Sequence, residues 1–187
     1  MAITRLNNNS ISSVTALPSG VDVGKVGQVV TTTFTGTESS TAKASSDSFT
    51  DSSVTASITP TATSSKIMVM ATVNQGVSEG GNGLHIGRFT QAISGGSTTA
   101  VFVGATVGNR IETSSGRMDG MTDSSIFNSS FNFLLTPSTT SAVTVTYQFA
   151  IRGTSSQTAY INRNGNNSDS VENQRTASAI TLMEILA

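Results

Sequence analysis

The residues best suited to chemistry lie in one amide-rich stretch, AYINRNGNNSDSV, at residues 159–171. Asn162, Asn164 and Asn166 alternate as the first oxygen ligands of a calcium-binding loop do. The glycine of this stretch stands at the fourth loop position, whereas an EF-hand needs its glycine at the sixth. Amide side chains also supply less charge than carboxylates. The spacing therefore excludes an EF-hand.

Three interpretations of this stretch stay open. One is a weaker cation site, built from Asp169 and backbone carbonyls. Another is a sugar-binding surface, because amide side chains both donate and accept hydrogen bonds. The third is a polar turn, which the Asn-Gly pair in the middle of the stretch favours most strongly.

We interpret the stretch as an exposed loop between a strand beginning near Tyr160 and a final strand. Arg163 and Arg175 bracket Asp169 and Glu172, so we expect charge pairing to help order the loop, although exposed pairs contribute little stability. If the protein recognises a glycan, this loop is the predicted tip. The candidate surface-recognition residues are Asn162, Arg163, Asn164, Asn166, Asn167 and Asp169.

A hydrolase would need a nucleophile, a base and an orienting acid, and the chain has a single histidine, His85. It is predicted to lie in a strand between Leu84 and Ile86 and to point to the opposite face from them. We interpret it as a hydrogen-bonded or solvated histidine rather than a catalytic base. The sequence thus predicts no catalytic residue at this position.

Carboxylate pairs are the other candidates for catalysis. Asp119 with Asp123, and Asp169 with Glu172, fall in polar segments where solvation is the usual state of a carboxylate. A glycosidase needs two carboxylates facing each other across a bound sugar, and nothing in the spacing predicts that arrangement. We therefore expect a protein that is not an enzyme and has no cofactor and no metal site.

The amino-acid composition limits the classes of partner that the chain is expected to bind. The chain has 187 residues, 11% of them charged, a formal net charge of -1 and no cysteine. Lysine and arginine are scattered singly, so no basic stripe or patch is available for nucleic acid or a membrane surface. Without disulfides or thiolate sites, stability must come from burial or association. No apolar run is long enough for a signal peptide or a membrane span, so we expect a soluble chain.

Strict alternation of apolar and polar residues predicts strands. The clearest case is SAVTVTYQFAIRG, where Val143, Val145, Tyr147, Phe149 and Ile151 should share one buried face. The abundance of serine and threonine, with β-branched and aromatic residues at regular intervals, disfavours both helices and disorder. We expect about eight to ten short strands, the number typical of a two-sheet sandwich.

One predicted strand, KIMVMATV, is apolar on both faces. Ile67 and Val69 lie on one face, and Met68 and Met70 lie on the other. Such a strand belongs inside a sandwich or against a partner chain. A polar chain of this size buries a modest core, so we expect Met68, Met70 or the C-terminal strand to supply an intersubunit face.

The predicted fold is an all-β, antiparallel two-sheet sandwich of the jelly-roll type. Residues 1–27 form an extended N-terminal arm, and residues 28–187 form the sandwich. SGGST joins two strands as a hairpin. Residues 35–48 are a flexible loop or a polar edge hairpin, and whether residues 38–48 are ordered stays open.

Three segments carry a resemblance to a known family. They are SFTDSSVTASITPTATSSKIMVMATV, SSFNFLLTPSTTSAVTVTYQFAIRGT and AYINRNGNNSDSVENQRTASAITLMEI. The most specific residues are Tyr160 to Arg163, Arg175 to Ser178 and Ile180 to Glu184. Together the segments resemble a family of virion proteins of tailed bacteriophages, notably those of cyanobacteria and marine bacteria, over roughly Val26 to Glu184. The arm ITRLNNNSISSVTALPSGV resembles N-terminal segments of phage structural proteins.

This resemblance implies a non-enzymatic, trimeric virion protein at the surface of a phage particle. Its implied role is a fibre-type appendage, attached to other virion proteins by its N-terminal arm and touching a host surface glycan. A capsid decoration (cement) protein is the alternative, in which the arm threads between capsid subunits. A polysaccharide-degrading tailspike is a third class, which normally needs a longer solenoid and paired carboxylates.

Overall fold

The computed structural model describes residues 25–44, 48–78, 85–116, 122–152 and 157–186. Within these ranges no helix is long and apolar enough to cross a membrane. The strands are β1 (Lys25–Phe34), β2 (Glu38–Ser40), β3 (Thr50–Ile58), β4 (Lys66–Val77), β5 (His85–Ile93), β6 (Thr98–Val101), β7 (Phe127–Leu135), β8 (Val143–Ile151), β9 (Ala159–Ile161) and β10 (Ser178–Leu186).

Eight of these strands pair as a folded ribbon. β1 pairs with β10, β3 with β8, β4 with β7 and β5 with β6, all antiparallel, so that each pair is nested inside the previous one. The ribbon is rolled up, because β10 also pairs with β4 and β8 also pairs with β5. The eight ribbon strands thus divide into two sheets, four strands in each. We call them sheet A (β1-β10-β4-β7) and sheet B (β3-β8-β5-β6). This topology is a jelly roll, which confirms the predicted fold class.

The two short strands extend sheet A at one end. β9 pairs with the last residues of β4, from Gln75 to Val77, and β2 pairs with β9. β9 is itself the start of the amide-rich stretch, and the residues after it lead back to β10. The end of β4 therefore positions this stretch.

The core lies between the sheets and follows the predicted alternation. Val143, Val145, Tyr147 and Phe149 of β8 are fully buried, whereas the threonines between them are half-buried. The opposing residues of sheet A, among them Ile67, Val69, Ile180 and Leu182, are also 0% exposed. Burial of each large apolar side chain contributes about 1.5–3 kcal/mol, so this interface holds the sheets together.

Several predicted boundaries shift. β1 begins at Lys25, so the last residues of the predicted arm belong to the sheet, and residues 1–24 lie outside the described residues. β6 ends at Val101, because Phe102 adopts a left-handed backbone (φ 53°) and its ring stacks on Phe133 at 4.6 Å between centroids. The pattern of TAVFVGATV, residues 99–107, predicts a strand over this whole segment, and that prediction is wrong beyond Val101. Leu84 and Asp119 also fall outside the described residues.

Candidate functional site

Asn162 is a buried junction rather than an exposed recognition residue. Its side-chain amide donates to the carbonyls of Phe34 (2.8 Å) and Gly36 (2.9 Å), and its Oδ1 accepts a hydrogen bond from the Ser178 hydroxyl at 2.6 Å. Its backbone is left-handed, with φ 62°, a conformation that asparagine tolerates better than most residues. The residue thus ties the end of β9 to the end of β1 and the start of β10.

Asn164 is buried as well, so the interpretation of the whole stretch as exposed is wrong at two positions. Its amide nitrogen donates to Oδ1 of Asn173 at 2.9 Å. Gly165 packs against the Val77 carbonyl so closely that a Cβ atom would overlap it. The backbone N–H of Asn166 then donates to the Asp123 carbonyl at 2.9 Å. The first half of the loop is consequently fixed to the end of β4 and to the segment before β7.

The two arginines of the loop have partners other than the predicted carboxylates. The guanidinium carbon of Arg163 lies 3.6 Å from the centroid of the Tyr160 ring, and its Nη1 donates to the Asn164 carbonyl at 3.1 Å. Arg175 donates to Oδ1 of Asn167 at 2.7 Å and to the Thr37 hydroxyl at 3.1 Å. The predicted ordering by charge pairing is therefore wrong. Amide, hydroxyl and aromatic contacts hold these guanidinium groups.

The outer half of the loop is exposed. Asn166, Asn167 and Asp169 lie at the surface and line an open concavity of about 340 Å³ together with Arg175. The Asn166 and Asn167 side-chain oxygens already accept hydrogen bonds from the Ser168 N–H and from Arg175. No group of three or more metal-ligating residues occurs in the described ranges. A recognition role stays a prediction for the exposed residues of this loop.

His85 lies inside the sandwich, fully buried. Its Nε2 is 3.4 Å from the Tyr147 hydroxyl, its Nδ1 is 3.4 Å from the Gly76 carbonyl, and its ring stacks on Phe149. Burial lowers the His85 pKa to about 4, although the Gly76 carbonyl opposes this shift. His85 is therefore a hydrogen-bonded histidine, as one of the two sequence-based interpretations had it, and the interpretation as a solvated histidine is wrong.

The Tyr147 hydroxyl also lies 3.1 Å from the Ser115 hydroxyl, so serine, tyrosine and histidine form a chain of polar groups. Burial raises the Tyr147 pKa, while the hydrogen bond with Ser115 lowers it. Tyr147 and His85 are 0% exposed and Ser115 is 7% exposed. Because these groups are closed off from any substrate, we interpret their hydrogen bonds as part of the packing of the core.

The outer face of sheet A carries an unusual set of residues. Val29 is paired with Met183, Met183 with Met68, and Met68 with Leu134. These four side chains form one line across all four strands, which we call the apolar row. Neighbouring strands are about 4.8 Å apart, so the row is about 14 Å long. Val29 is 53% and Leu134 49% exposed.

Both polar and apolar side chains lie beside the apolar row. The next line of residues on sheet A includes Thr31 and Thr181, whose hydroxyls are 3.0 Å apart. On the outer face of sheet B, Thr55 and Thr146 form a similar pair at 2.8 Å. Met70, which the sequence also predicted for this face, is paired with Thr181 and is 36% exposed, so the exposed apolar surface of sheet A extends beyond the row. The sequence pointed to Met68, but it missed Val29 and Leu134, which only the strand register aligns with it.

No protein-family model matches this chain, and no curated protein matches it. The solved structures to which it is similar in fold include chains of infectious bursal disease virus. The Gt strain matches with a TM-score of 0.40 and 12% identity, over 98% of this chain and 56% of the viral chain. The VP2 subviral particle of the same virus matches with a TM-score of 0.41 and 15% identity, over 86% of this chain and 38% of the viral one.

The chain thus spans between about two fifths and somewhat more than half of those two viral chains. At this identity the similarity concerns the arrangement of the sheets alone. Both solved structures come from virus or subviral particles, and what those proteins do is not transferred to this chain by the match.

Proposed function

We propose that this protein is a non-enzymatic structural protein of a bacteriophage particle that associates with copies of itself through the apolar row. The observation that carries the proposal is the line formed by Val29, Met183, Met68 and Leu134 on the outer face of sheet A, with Met70 exposed beside it. Exposed apolar surface rimmed by polar residues is typical of protein interfaces. The proposal also accords with the resemblance to phage virion proteins.

The distribution of polar groups supports a structural rather than a catalytic role. His85 is enclosed by Tyr147 and Phe149, and its lowered pKa keeps it neutral near pH 7. The amides Asn162 and Asn164 are committed to hydrogen bonds that fix the fold. The fold thus uses these groups for stability, as a durable particle component requires.

The trimer and the attachment of the arm belong to the same proposal. Three copies would bury their apolar rows around a common axis, with the arm leading from Lys25, where β1 begins. Val26 is 51% exposed and is paired with Ile185, so the apolar surface continues toward the start of the arm. In this arrangement the arm holds the trimer on the particle, and the domain projects as a short fibre-type appendage toward the host.

Light scattering coupled to size exclusion tests the self-association. We expect the mass of a trimer for the wild-type protein and the mass of a monomer for Leu134→Lys. The substitution places a positive charge in the apolar interface of every copy, and these like charges oppose association. Ser57→Lys places the same charge on the exposed outer side of β3 in sheet B and should leave the trimer intact. A monomeric wild-type protein at micromolar concentration would contradict the proposal.

A second experiment separates the fibre from the decoration role. Deletion of residues 1–24 should leave a folded trimer that no longer enters the particle, because β1 is preserved. Normal incorporation of the shortened protein would refute attachment by the arm. Labelled antibodies on intact particles locate the protein: a few copies on the tail support a fibre, and hundreds of copies on the head support a cement protein.

A further inference from the structure

The outer face of sheet B carries a concavity that the proposed assembly role does not use. Ile86 of β5 and Ala150 of β8 form a small buried apolar cluster there with Ala44. Residues 42–44 lie against one side of this face, where the Ala42 carbonyl accepts the Ile151 N–H at 2.8 Å. Residues 104–116 follow the opposite side and are held by hydrogen bonds of Ser114 and Ser115 with Gly87.

This basic concavity encloses about 290 Å³. The lining residues that matter here are Ile86, Asn109, Arg110, Ile111, Thr113 and Arg152. Small-molecule sites are typically about 300–1,000 Å³ and combine apolar walls with a few polar groups, so both the size and the lining fit the lower end of that class. A single sugar ring is a ligand of matching size.

The arginines of the basic concavity are its most informative feature. Among the described residues, no side-chain hydrogen bond or ion pair engages the guanidinium group of Arg110 or of Arg152. A turn holds Arg110, since its N–H donates to the Val107 carbonyl at 3.2 Å. Arg152 directly follows β8. Two guanidinium groups therefore line one recess of a chain whose net charge is -1.

An adjoining concavity adds further positive charge. Arg88 lines it together with Arg110, and the guanidinium of Arg88 is held by Gln148 at 2.9 Å and lies over the Phe49 ring. Glu112 also lines this second concavity and accepts a hydrogen bond from the Thr106 hydroxyl, but its single negative charge is outnumbered by the three guanidinium groups of Arg88, Arg110 and Arg152. The local field at the basic concavity consequently favours an anion.

We propose that the basic concavity binds an acidic sugar unit, that is, a sugar ring bearing one carboxylate or phosphate group. Arg110 and Arg152 would contact the anionic group, because the planar guanidinium matches both anions with two parallel hydrogen bonds. Ile86 and Ile111 face the ring carbons. Asn109 and Thr113, whose side chains have no hydrogen bond with the described residues, serve the ring hydroxyls.

A sugar fits these observations better than a nucleic acid does. A nucleic-acid backbone is bound by a stripe of cations that neutralises several phosphates in succession. Here the two unengaged arginines converge on one recess of single-ring size, and the next cation, Arg88, is occupied by Gln148 and Phe49. The inference is independent of self-association, since this site lies on sheet B and the apolar row lies on sheet A.

The test is titration of the full-length protein, followed by the backbone amide signals of Asn109, Ile111 and Thr113 in NMR spectra. Glucuronate and glucose 6-phosphate are the probes, and whichever binds more tightly identifies the anionic group. Glucose, acetate and inorganic phosphate each lack either the charge or the ring. We expect each to bind at least about tenfold more weakly: glucose because it loses the charge-assisted hydrogen bonds, and acetate and inorganic phosphate because they lose the contacts of the ring with Ile86, Ile111, Asn109 and Thr113.

Arg110→Gln and Arg152→Gln should each weaken binding of the preferred probe by about tenfold or more. Arg175→Gln removes the same charge from the amide-rich loop beside sheet A, and it should leave the affinity unchanged. Acetate or inorganic phosphate binding as tightly as the acidic sugar would overturn the proposal, and so would an equal loss of affinity in Arg175→Gln. A single-stranded oligonucleotide that displaces the sugar at lower concentration would identify a nucleic-acid site instead.

Discussion

The Tyr147 hydroxyl lies 3.4 Å from Nε2 of His85 in the closed interior of the sandwich. The space above Gly87 makes this pairing possible, because a side chain at that position would occupy the place of the tyrosine hydroxyl. Ser115 reaches the same hydroxyl from the segment that follows β6. A polar chain thus crosses the core where β5, β8 and this segment meet. Its burial has consequences for the pH dependence of folding.

Acid should destabilise the protein through His85. Its pKa is about 4 in the folded chain and 6.5 ordinarily, so between these values the unfolded chain binds a proton that the folded chain does not. The stabilisation is complete above pH 6.5 and is lost as the pH falls toward 4. At about 1.4 kcal/mol per pKa unit, the loss is roughly 3 kcal/mol. Urea denaturation at both ends of this window measures it.

The matched variant for this prediction is His85→Gln, which removes the titrating group and keeps a polar side chain. Its free energy of unfolding should change less between pH 6.5 and 4 than that of the wild type. The remaining pH dependence comes from carboxylates. Equal pH dependence of the two proteins would show that His85 titrates normally.

Gly87→Ala should destabilise the fold by about 1–3 kcal/mol, the usual cost of overpacking a filled core. The added Cβ atom would overlap the Tyr147 hydroxyl and displace the ring from His85. In Gly104→Ala the added Cβ meets nothing within 4 Å, so this variant should melt close to the wild type. The melting temperatures of both variants, measured by calorimetry, test this difference. Equal melting of both variants would mean that Tyr147 moves aside at no cost.

The local sequence pattern predicted those features of the fold that depend on a single strand. Strict alternation in β8 predicted which side chains are buried, because one face of that strand forms the core. The order of strands was not predictable from any single segment. β1 pairs with β10, and Phe34 meets Ser178 across almost the whole length of the domain. Such pairings depend on how the whole ribbon rolls up.

The candidate site shows the same limit. Asparagine is a polar residue that usually lies in exposed turns, so composition placed Asn162 on the surface. Its burial depends on the carbonyls of Phe34 and Gly36, which come from a strand far away in the sequence. The sequence predicted only part of the apolar row, for a related reason. Met68 was predicted because its strand is apolar on both faces, whereas Leu134 and Val29 join the row through the strand register alone.

Asn162→Ala should cost roughly 3 kcal/mol of folding free energy, since buried partners left without hydrogen bonds cost about 1–3 kcal/mol each and alanine disfavours a left-handed backbone. The partners concerned are the Phe34 and Gly36 carbonyls and the Ser178 hydroxyl. Asn167→Ala, in the exposed half of the same loop, should change stability by about 0.5 kcal/mol at most. Chemical denaturation of both variants provides the comparison. A mild effect at Asn162 would restore the interpretation of this residue as part of a recognition surface.

Glu184 should protect the opposite end of the sandwich against moderate acid. Its side chain is 0% exposed, and its carboxylate accepts hydrogen bonds from the Thr61 N–H (2.6 Å), the Thr61 hydroxyl (2.8 Å) and the Gln28 amide (2.8 Å). Burial raises the pKa of this carboxyl, but the hydrogen bonds from Thr61 and Gln28 outweigh that effect and lower the pKa to about 2.

Because the folded pKa of Glu184 is below the ordinary value of 4.5, its stabilisation is complete above pH 4.5 and is lost as the pH falls toward 2. Glu184→Gln replaces one accepting oxygen with a donor that faces other donors, so the variant should melt several degrees lower at pH 7. It should also lose less stability than the wild type between pH 4.5 and 2. Thermal melts of both proteins across this range test the assignment. Parallel pH profiles of the two proteins would exclude Glu184 as the source of this acid sensitivity.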